Sequence, residues 1–266
     1  MTVKANLALS MISFLAVLIA PLATAAEIVP HKARYDIKLE SLNVEGFPLE
    51  ASGAMAIRIT RDCQKWEKLQ EMQFAVGVEG GEPINIHSLV RSLEGLDGKR
   101  MEFTGWQSKE GGDRMDLKGT ATMNSDGYGG TAHFQQPIET DWDLPSPTKL
   151  PVAAMKELLN ALSRGKTDAQ SIGFEVQGIS EVTRIGPGKA ANYENIETED
   201  MSLVEGKSWL VDRAIYFEAI ARNEPFLIET LQIHANGVVS KFWHDYHTMV
   251  LSGELVALEK ISIPDC

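Results

Sequence analysis

Cysteine is nearly absent: Cys63 and Cys266 are the only two in 266 residues. No C-x-x-C spacing occurs, which removes the dithiol motif of thioredoxin-like oxidoreductases. Basic residues are also scarce, with 25 Lys and Arg against 37 Asp and Glu and a formal charge of −12. Nucleic acid and anionic membrane surfaces need clustered Lys and Arg, so neither is an expected partner. There is no Gly-x-Ser-x-Gly elbow for an activated serine. Gly186-Pro-Gly188 is a lone glycine pair without the strand-to-helix setting of a phosphate cradle. No Ser/Pro-rich linker, low-complexity tract or internal repeat divides the chain.

The N-terminus reads as a targeting segment. Lys4 precedes an apolar core, Met11 to Ala20. Pro21 breaks that core, and Ala23-Thr24-Ala25 places small residues where a signal peptidase reads. Cleavage is expected before Ala26, with Glu27 as the second choice. A spanning helix needs about 20 apolar residues, more than this core offers. No later apolar run is long enough, and no Cys follows the core as a lipoprotein anchor would require. Residues 1–25 are therefore expected to be a signal peptide, and 26–266 one soluble domain in a bacterial periplasm. Loss of Lys4 takes the formal charge from −12 to about −13.

In an oxidising compartment Cys63 and Cys266 have only each other, and one disulfide is the simplest reading. A free pair is the alternative. A zinc site would need two more ligands, and no His lies near either Cys in sequence. Cys63 sits in a polar turn, Arg61-Asp62-Cys63-Gln64-Lys65-Trp66. A bond from there to the last residue would clasp the first hairpin to the chain's end and restrain an outer strand, with Trp66 packed beneath it.

Alternation dominates the mature chain. His31, Ala33, Tyr35, Ile37 and Leu39 alternate with charged residues, the pattern of a strand half buried on a core. Strands are also expected over 51–59, 72–78, 84–93, 100–107, 113–123 and 128–135. The turns Asp97-Gly98 and Asn124-Ser-Asp-Gly127 separate four of them. Residues 137–147 are Pro-rich and read as irregular. Val152, Met155, Leu159 and Leu162 form a helical stripe between Pro151 and Gly165, predicting one amphipathic helix over about 151–164 that lids the sheet. Strands resume at 171–177, 180–185, 194–204, 209–219, 226–234, 238–247 and 250–260, with 186–188 as a loop. The fold class is mainly β: a long antiparallel sheet curled into a spiral or barrel-like form, with one packed helix.

No reactive constellation emerges, and neither a catalytic residue, a metal site nor a cofactor is expected. His244 and His247 are three apart on a strand and point to opposite faces. His31 shares the apolar face of the first strand with Tyr35, where a buried imidazole serves a structural hydrogen bond. Asp and Glu are too numerous for any pair to be singled out for glycoside chemistry.

The order of short motifs carries more information than any one of them. His31-x-Ala33-x-Tyr35, Gly53-x-Met55 and Asp62-Cys63-x-x-Trp66 come first. Asp97-Gly98 with Phe103, Gly119-x-Ala121, Phe134-x-x-Pro137 and Leu144-Pro145 follow. Asn236-Gly237-Val238, Asp245-Tyr246, Gly253-x-Leu255 and the terminal Cys266 close the series. In that order the chain resembles the alphaproteobacterial EipB family of cell-envelope-integrity proteins, long described as a domain of unknown function. The resemblance implies a periplasmic spiral of antiparallel strands, a packed helix and a Cys63–Cys266 disulfide. It also implies a part in envelope homeostasis without an established enzymatic activity. One departure stands out: the family helix opens with Phe-Pro and a nearby His, whereas this chain has Leu150-Pro151-Val-Ala-Ala154. Expected partners are another envelope protein or a lipid held in an apolar groove. A carboxylate-dependent envelope hydrolase is the remaining alternative.

Overall fold

The computed structural model describes residues 27–43, 50–77, 80–110, 112–190, 193, 195–217 and 224–266. The expected signal peptide, 1–25, the expected first mature residue Ala26, and Val78, Glu194, Glu218 and Ala219 of the predicted strands lie outside them. Eight strands come first: β1 (His31–Leu42), β2 (Ala51–Arg61), β3 (Lys65–Val76), β4 (Ile84–Gly95), β5 (Arg100–Lys109), β6 (Met115–Met123), β7 (Gly130–Gln136) and β8 (Thr140–Leu144). Helix α1 (Pro151–Ser163) follows. Then come β9 (Ile172–Glu175), β10 (Gly178–Pro187), β11 (Glu197–Thr198), β12 (Ser208–Tyr216), β13 (Leu227–His234), β14 (Val239–Asp245) and β15 (Met249–Lys260). No helix among the described residues is long and apolar enough to cross a membrane.

All strands share one sheet, ordered β8-β7-β6-β5-β4-β3-β2-β1-β15-β14-β13-β12-β10-β9, with β11 added in parallel to β15. Alternation drives the curl. In β1 the odd positions His31, Ala33, Tyr35 and Ile37 are buried while the intervening residues are exposed. Pairing carries the inward phase around the sheet: Tyr35 faces Met55 on β2 and Leu255 on β15, and Met55 faces Met72 on β3. Gly119 and Gly253 let the rings of Phe103 and Phe242 lie flat on the neighbouring strand, where an added methyl would collide with them.

The sheet nearly closes. Its edges, β8 and β9, are joined in sequence through α1. Just before the helix, Lys149 bridges to Gly173 in parallel; its N–H donates to Ile172 O (3.0 Å) and its carbonyl accepts from Phe174 N (2.8 Å). Thr148 O accepts from Gly129 N at 2.8 Å. One end of the seam is thus laced by backbone bonds, and beyond it the two edges diverge.

Helix α1 plugs the barrel. Pro151 opens it, and Gly165 (φ +78°) ends it: Gly165 N donates to Leu162 O and Lys166 N to Ala161 O. Ala154, Leu158, Leu159 and Leu162 are its buried residues, and the three leucines share a core with Ile28, Trp66, Trp209 and Ile233. Val152 and Met155 of the predicted stripe are half-buried at its margin.

Several expectations are corrected. Residues 137–147 are not irregular throughout, because β8 pairs there with β7 from Phe134↔Thr140 to Gly130↔Leu144. Residues 194–204 do not form a long strand. Only Glu197–Thr198 pairs, and Met201–Leu203 is a 3-10 turn whose Ser202 N–H is capped by Asp200. A short acidic side chain offers the backbone a local partner in place of a ladder. Gly186 belongs to β10 rather than to a loop. The strand that precedes Cys266 is not outermost: β15 lies between β1 and β14.

Cys63 and Cys266 lie at disulfide distance (Sγ–Sγ 2.07 Å), 203 residues apart in sequence. After β15 the tail keeps one bond to the N-terminal strand, Ile261 N to Pro30 O at 2.9 Å. It then passes β1 and β2 to reach the β2–β3 turn. Trp66 is 1% exposed in the core under α1, with Lys156 Nζ 4.8 Å and Arg61 Cζ 5.6 Å from its ring. Closing a loop of this length is worth up to about 5 kcal/mol in the chain-entropy model. Cys63→Ser is therefore expected to lower the melting temperature and to slow migration on non-reducing gels. Two titratable thiols in the unreduced native protein would refute the bond.

Candidate functional site

The inward faces of β3 and β4 set the character of the barrel's interior. Beside the apolar Met72, Phe74, Ile86 and Val90, these strands turn Lys68, Gln70, Ser88 and Ser92 inward. The result is a cavity of about 380 Å³ bounded on the other side by β12 to β14 and by the β9–β10 turn. Towards the plugged end it narrows to a space of about 140 Å³ beneath Pro151, Val152 and Met155. Towards the open seam it joins a cleft of about 320 Å³, sharing Ser88, Val90, Gln107, Val176 and Gln177 with it. Trp106, Met115, Leu117, Phe134, Ile138 and Trp142 make that cleft apolar. Ile138 is 74% exposed and Met115 53%, so the mouth presents hydrophobic surface to solvent.

One wall carries buried charge. Arg213 on β12 donates from Nε to Glu229 on β13 at 2.7 Å and from Nη1 to Glu175 on β9 at 3.0 Å. His244 on β14 meets the second Glu229 oxygen at 3.0 Å. Burial disfavours the ionised form of Glu229, but Arg213 and His244 outweigh it and hold its pKa well below the usual carboxylate range. Burial likewise opposes the Arg213 cation, and Glu229 and Glu175 raise its pKa regardless. Tyr246 lines the same cavity, its pKa pushed up to about 12 by burial and then by the Glu229 charge. This network satisfies itself, as buried ions must.

A second buried carboxylate serves the helix. Glu94, 3% exposed at the end of β4, accepts from Val152 N (2.8 Å) and Ala153 N (3.0 Å). Leu150 offers no side-chain cap, so a distant strand supplies the acceptor oxygens for the first turn. Burial raises the pKa of Glu94 to about 7 against those two bonds and Lys156.

The residues singled out from sequence have structural duties. His31 Nδ1 is 2.7 Å from Val29 O, and Tyr35 OH donates to Val239 O at 2.8 Å. Burial lowers the His31 pKa against the Val29 bond and raises that of Tyr35. Asp245 accepts from His247 N at 2.8 Å in the β14–β15 turn. Of His31, Tyr35, Trp66, Asp245, Tyr246 and the two cysteines, only Tyr246 reaches the large cavity, and His31 and Tyr35 line its narrow end. His244 and His247 are not on one strand as expected: His244 on β14 meets Glu229, while His247 lies in the β14–β15 turn with its Nε2 2.6 Å from Pro225 O. No group of three potential metal ligands exists among the described residues.

Glu175, Arg213, Glu229 and His244 were not foreseen as a set. Each lies on a different strand, and only ladder register brings them together. One Ser–His contact occurs behind the sheet, Ser240 Oγ 3.0 Å from His234 Nε2. Among the described residues no carboxylate orients the ring and its Nδ1 has no partner, and burial drops its pKa to about 4. Such a histidine is a poor base near neutral pH.

The model of the family described as EipB-like matches residues 22–262. A crystal structure from Brucella abortus, of a β-barrel-like protein of the domain of unknown function DUF1849, superposes with a TM-score of 0.77. It covers 90% of this chain and 100% of its own at 20% identity, a likeness of fold. No curated protein matches the chain.

Two substitutions test the buried charges. Arg213→Met strands two carboxylates and is expected to cost about 3–5 kcal/mol of stability, partly recovered by adding Glu229→Gln. The raised pKa of Glu94 stabilises the fold below its unfolded value of 4.5, and this contribution is lost as pH rises through about 7. Melting temperatures measured from pH 5 to 8 should therefore fall for the native protein relative to Glu94→Gln. Parallel profiles would refute that assignment.

Proposed function

The chain belongs to the EipB-like family, and from that premise we propose a non-catalytic periplasmic protein that supports cell-envelope integrity by binding another envelope component. The observation that carries this reading is the pairing of the interior carboxylates with an arginine, a histidine and a helix start. Arg213 is taken up by Glu175 and Glu229, His244 by Glu229, and Glu94 by the start of α1. A hydrolase needs an acid or base left free to meet substrate, whereas these groups brace the barrel wall. The open seam offers a binding partner an apolar mouth in a rigid frame, as ligand sites require. The signal-peptide pattern of residues 1–25 and the paired cysteines support the compartment.

The cleft also favours a second reading, a carrier for lipid or a lipoprotein's acyl chain. Native mass spectrometry of protein purified from its own periplasm separates the two. Co-purifying lipid supports the carrier, and a stoichiometric protein partner supports the scaffold.

A strain without this protein is expected to be hypersensitive to detergents and to cell-wall antibiotics, with resistance restored by the native gene. An indifferent deletion strain would remove the envelope role. The exported protein is expected to begin at Ala26, checked by intact mass.

A further inference from the structure

Among the charged groups facing the main cavity, Lys68 stands apart. Arg213, Glu175, Glu229 and His244 are tied to one another. Lys68 projects from β3 into both the main cavity and its narrow end, opposite Ile59 on β2 and Ser92 on β4. It is half-buried, and its ammonium has no ion pair or hydrogen bond among the described residues. Ser92, its register partner on β4, and Gln70, two residues on along β3, stand near it as neutral donors. A partly desolvated ammonium without a counter-ion is a ready receptor for an anion. It is an unexpected feature inside a chain of net charge −12.

The rest of the interior says what the anion is attached to. From Ser92, beside Lys68, to Ser88, at the junction with the seam cleft, is about 13 Å along β4. Val90 lies between them, and beyond Ser88 the walls are Leu117, Phe134 and Trp142. Each of the two joined spaces is at the lower end of small-ligand sites in volume. One end is cationic and polar, the other apolar and open.

We propose that the barrel binds a single-chain amphiphile with an anionic head, the head on Lys68 and the tail running out through the seam cleft. This rests on the reading of the barrel as a binding protein and names the ligand's chemistry. The net negative charge of the protein repels free anions, so the tail supplies most of the affinity and Lys68 supplies head selectivity.

Calorimetry with matched probes tests it on the purified full protein: dodecanoate, dodecyl phosphate, 1-dodecanol, acetate and inorganic phosphate. Both acidic dodecyl probes should bind at least tenfold tighter than dodecanol, and acetate and phosphate should not bind measurably. Lys68→Met should remove that preference while leaving dodecanol affinity unchanged, and Lys68→Arg should retain it, with circular dichroism confirming the fold of each. Equal binding of dodecanol and dodecanoate would overturn the role of Lys68 while leaving interior binding intact. Tight binding of acetate or phosphate would make this an anion site and overturn the amphiphile. Failure of every probe would overturn the proposal, while a periplasmic protein partner found by native mass spectrometry would leave the envelope reading standing.

Discussion

The pairing of β1 with β15 is the contact on which the architecture depends. It runs from His31↔Lys260 to Leu42↔Met249 and joins the first strand to the last. On one side lie β2 to β8, each paired with its sequence neighbour; on the other lie β14 back to β9. Without this ladder the chain would be two open sheets, each exposing an edge to other chains. With it, the alternation of Tyr35, Met55, Met72 and Leu255 becomes a single inward surface, and a cavity exists to be lined.

Curling so long a sheet leaves one problem, the seam. The chain answers it unevenly. At one end the backbone of Lys149 bonds to β9 and that of Thr148 to Gly129 just before β7, and α1 fills the space beneath. At the other end the edges stay apart and apolar side chains face outward. The charged wall fits this plan, since Glu229 and Arg213 hold adjacent strands by side chains as well as ladders, and Arg213 reaches to the edge strand through Glu175. The stable half of the barrel and the open half are thus built from different interactions.

Much of the fold was legible because strand alternation is a local signal. The β1 pattern, the Asp97-Gly98 and Asn236-Gly237 turns and the helical spacing after Pro151 all rest on residues near one another in sequence. The cysteine partnership was legible by elimination of other partners. Interior charge was not. Glu175 and Glu229 are 54 positions apart by their numbers, and nothing near either one marks it as inward. Residues 194–204 misled for a related reason. Their apolar residues do pack on the core, Leu203 and Val204 among them, but as a cover over the sheet rather than a strand within it. Glu94 could have been suspected as a carboxylate at the end of an alternating strand. Its purpose, to cap a helix 58 residues later, depends on which end of the barrel that helix enters.

The clasp between Cys63 and Cys266 also bears on timing. The second thiol is the last residue of the chain, and β15 is the last strand. A polypeptide that emerges N-terminus first can form the β2–β3–β4 meander early, since those contacts are local. It cannot complete β1, lace the tail across Pro30 or oxidise Cys63 intramolecularly until β15 and Cys266 are free. Non-local pairings of this kind are slow to form and leave strand edges open while they wait. During that interval β1 is an unpaired edge on a reduced chain, exposed to other nascent strands and to intermolecular thiol exchange. The architecture thus places the greatest demand for chaperoning and oxidation in the interval before β15 and Cys266 become available.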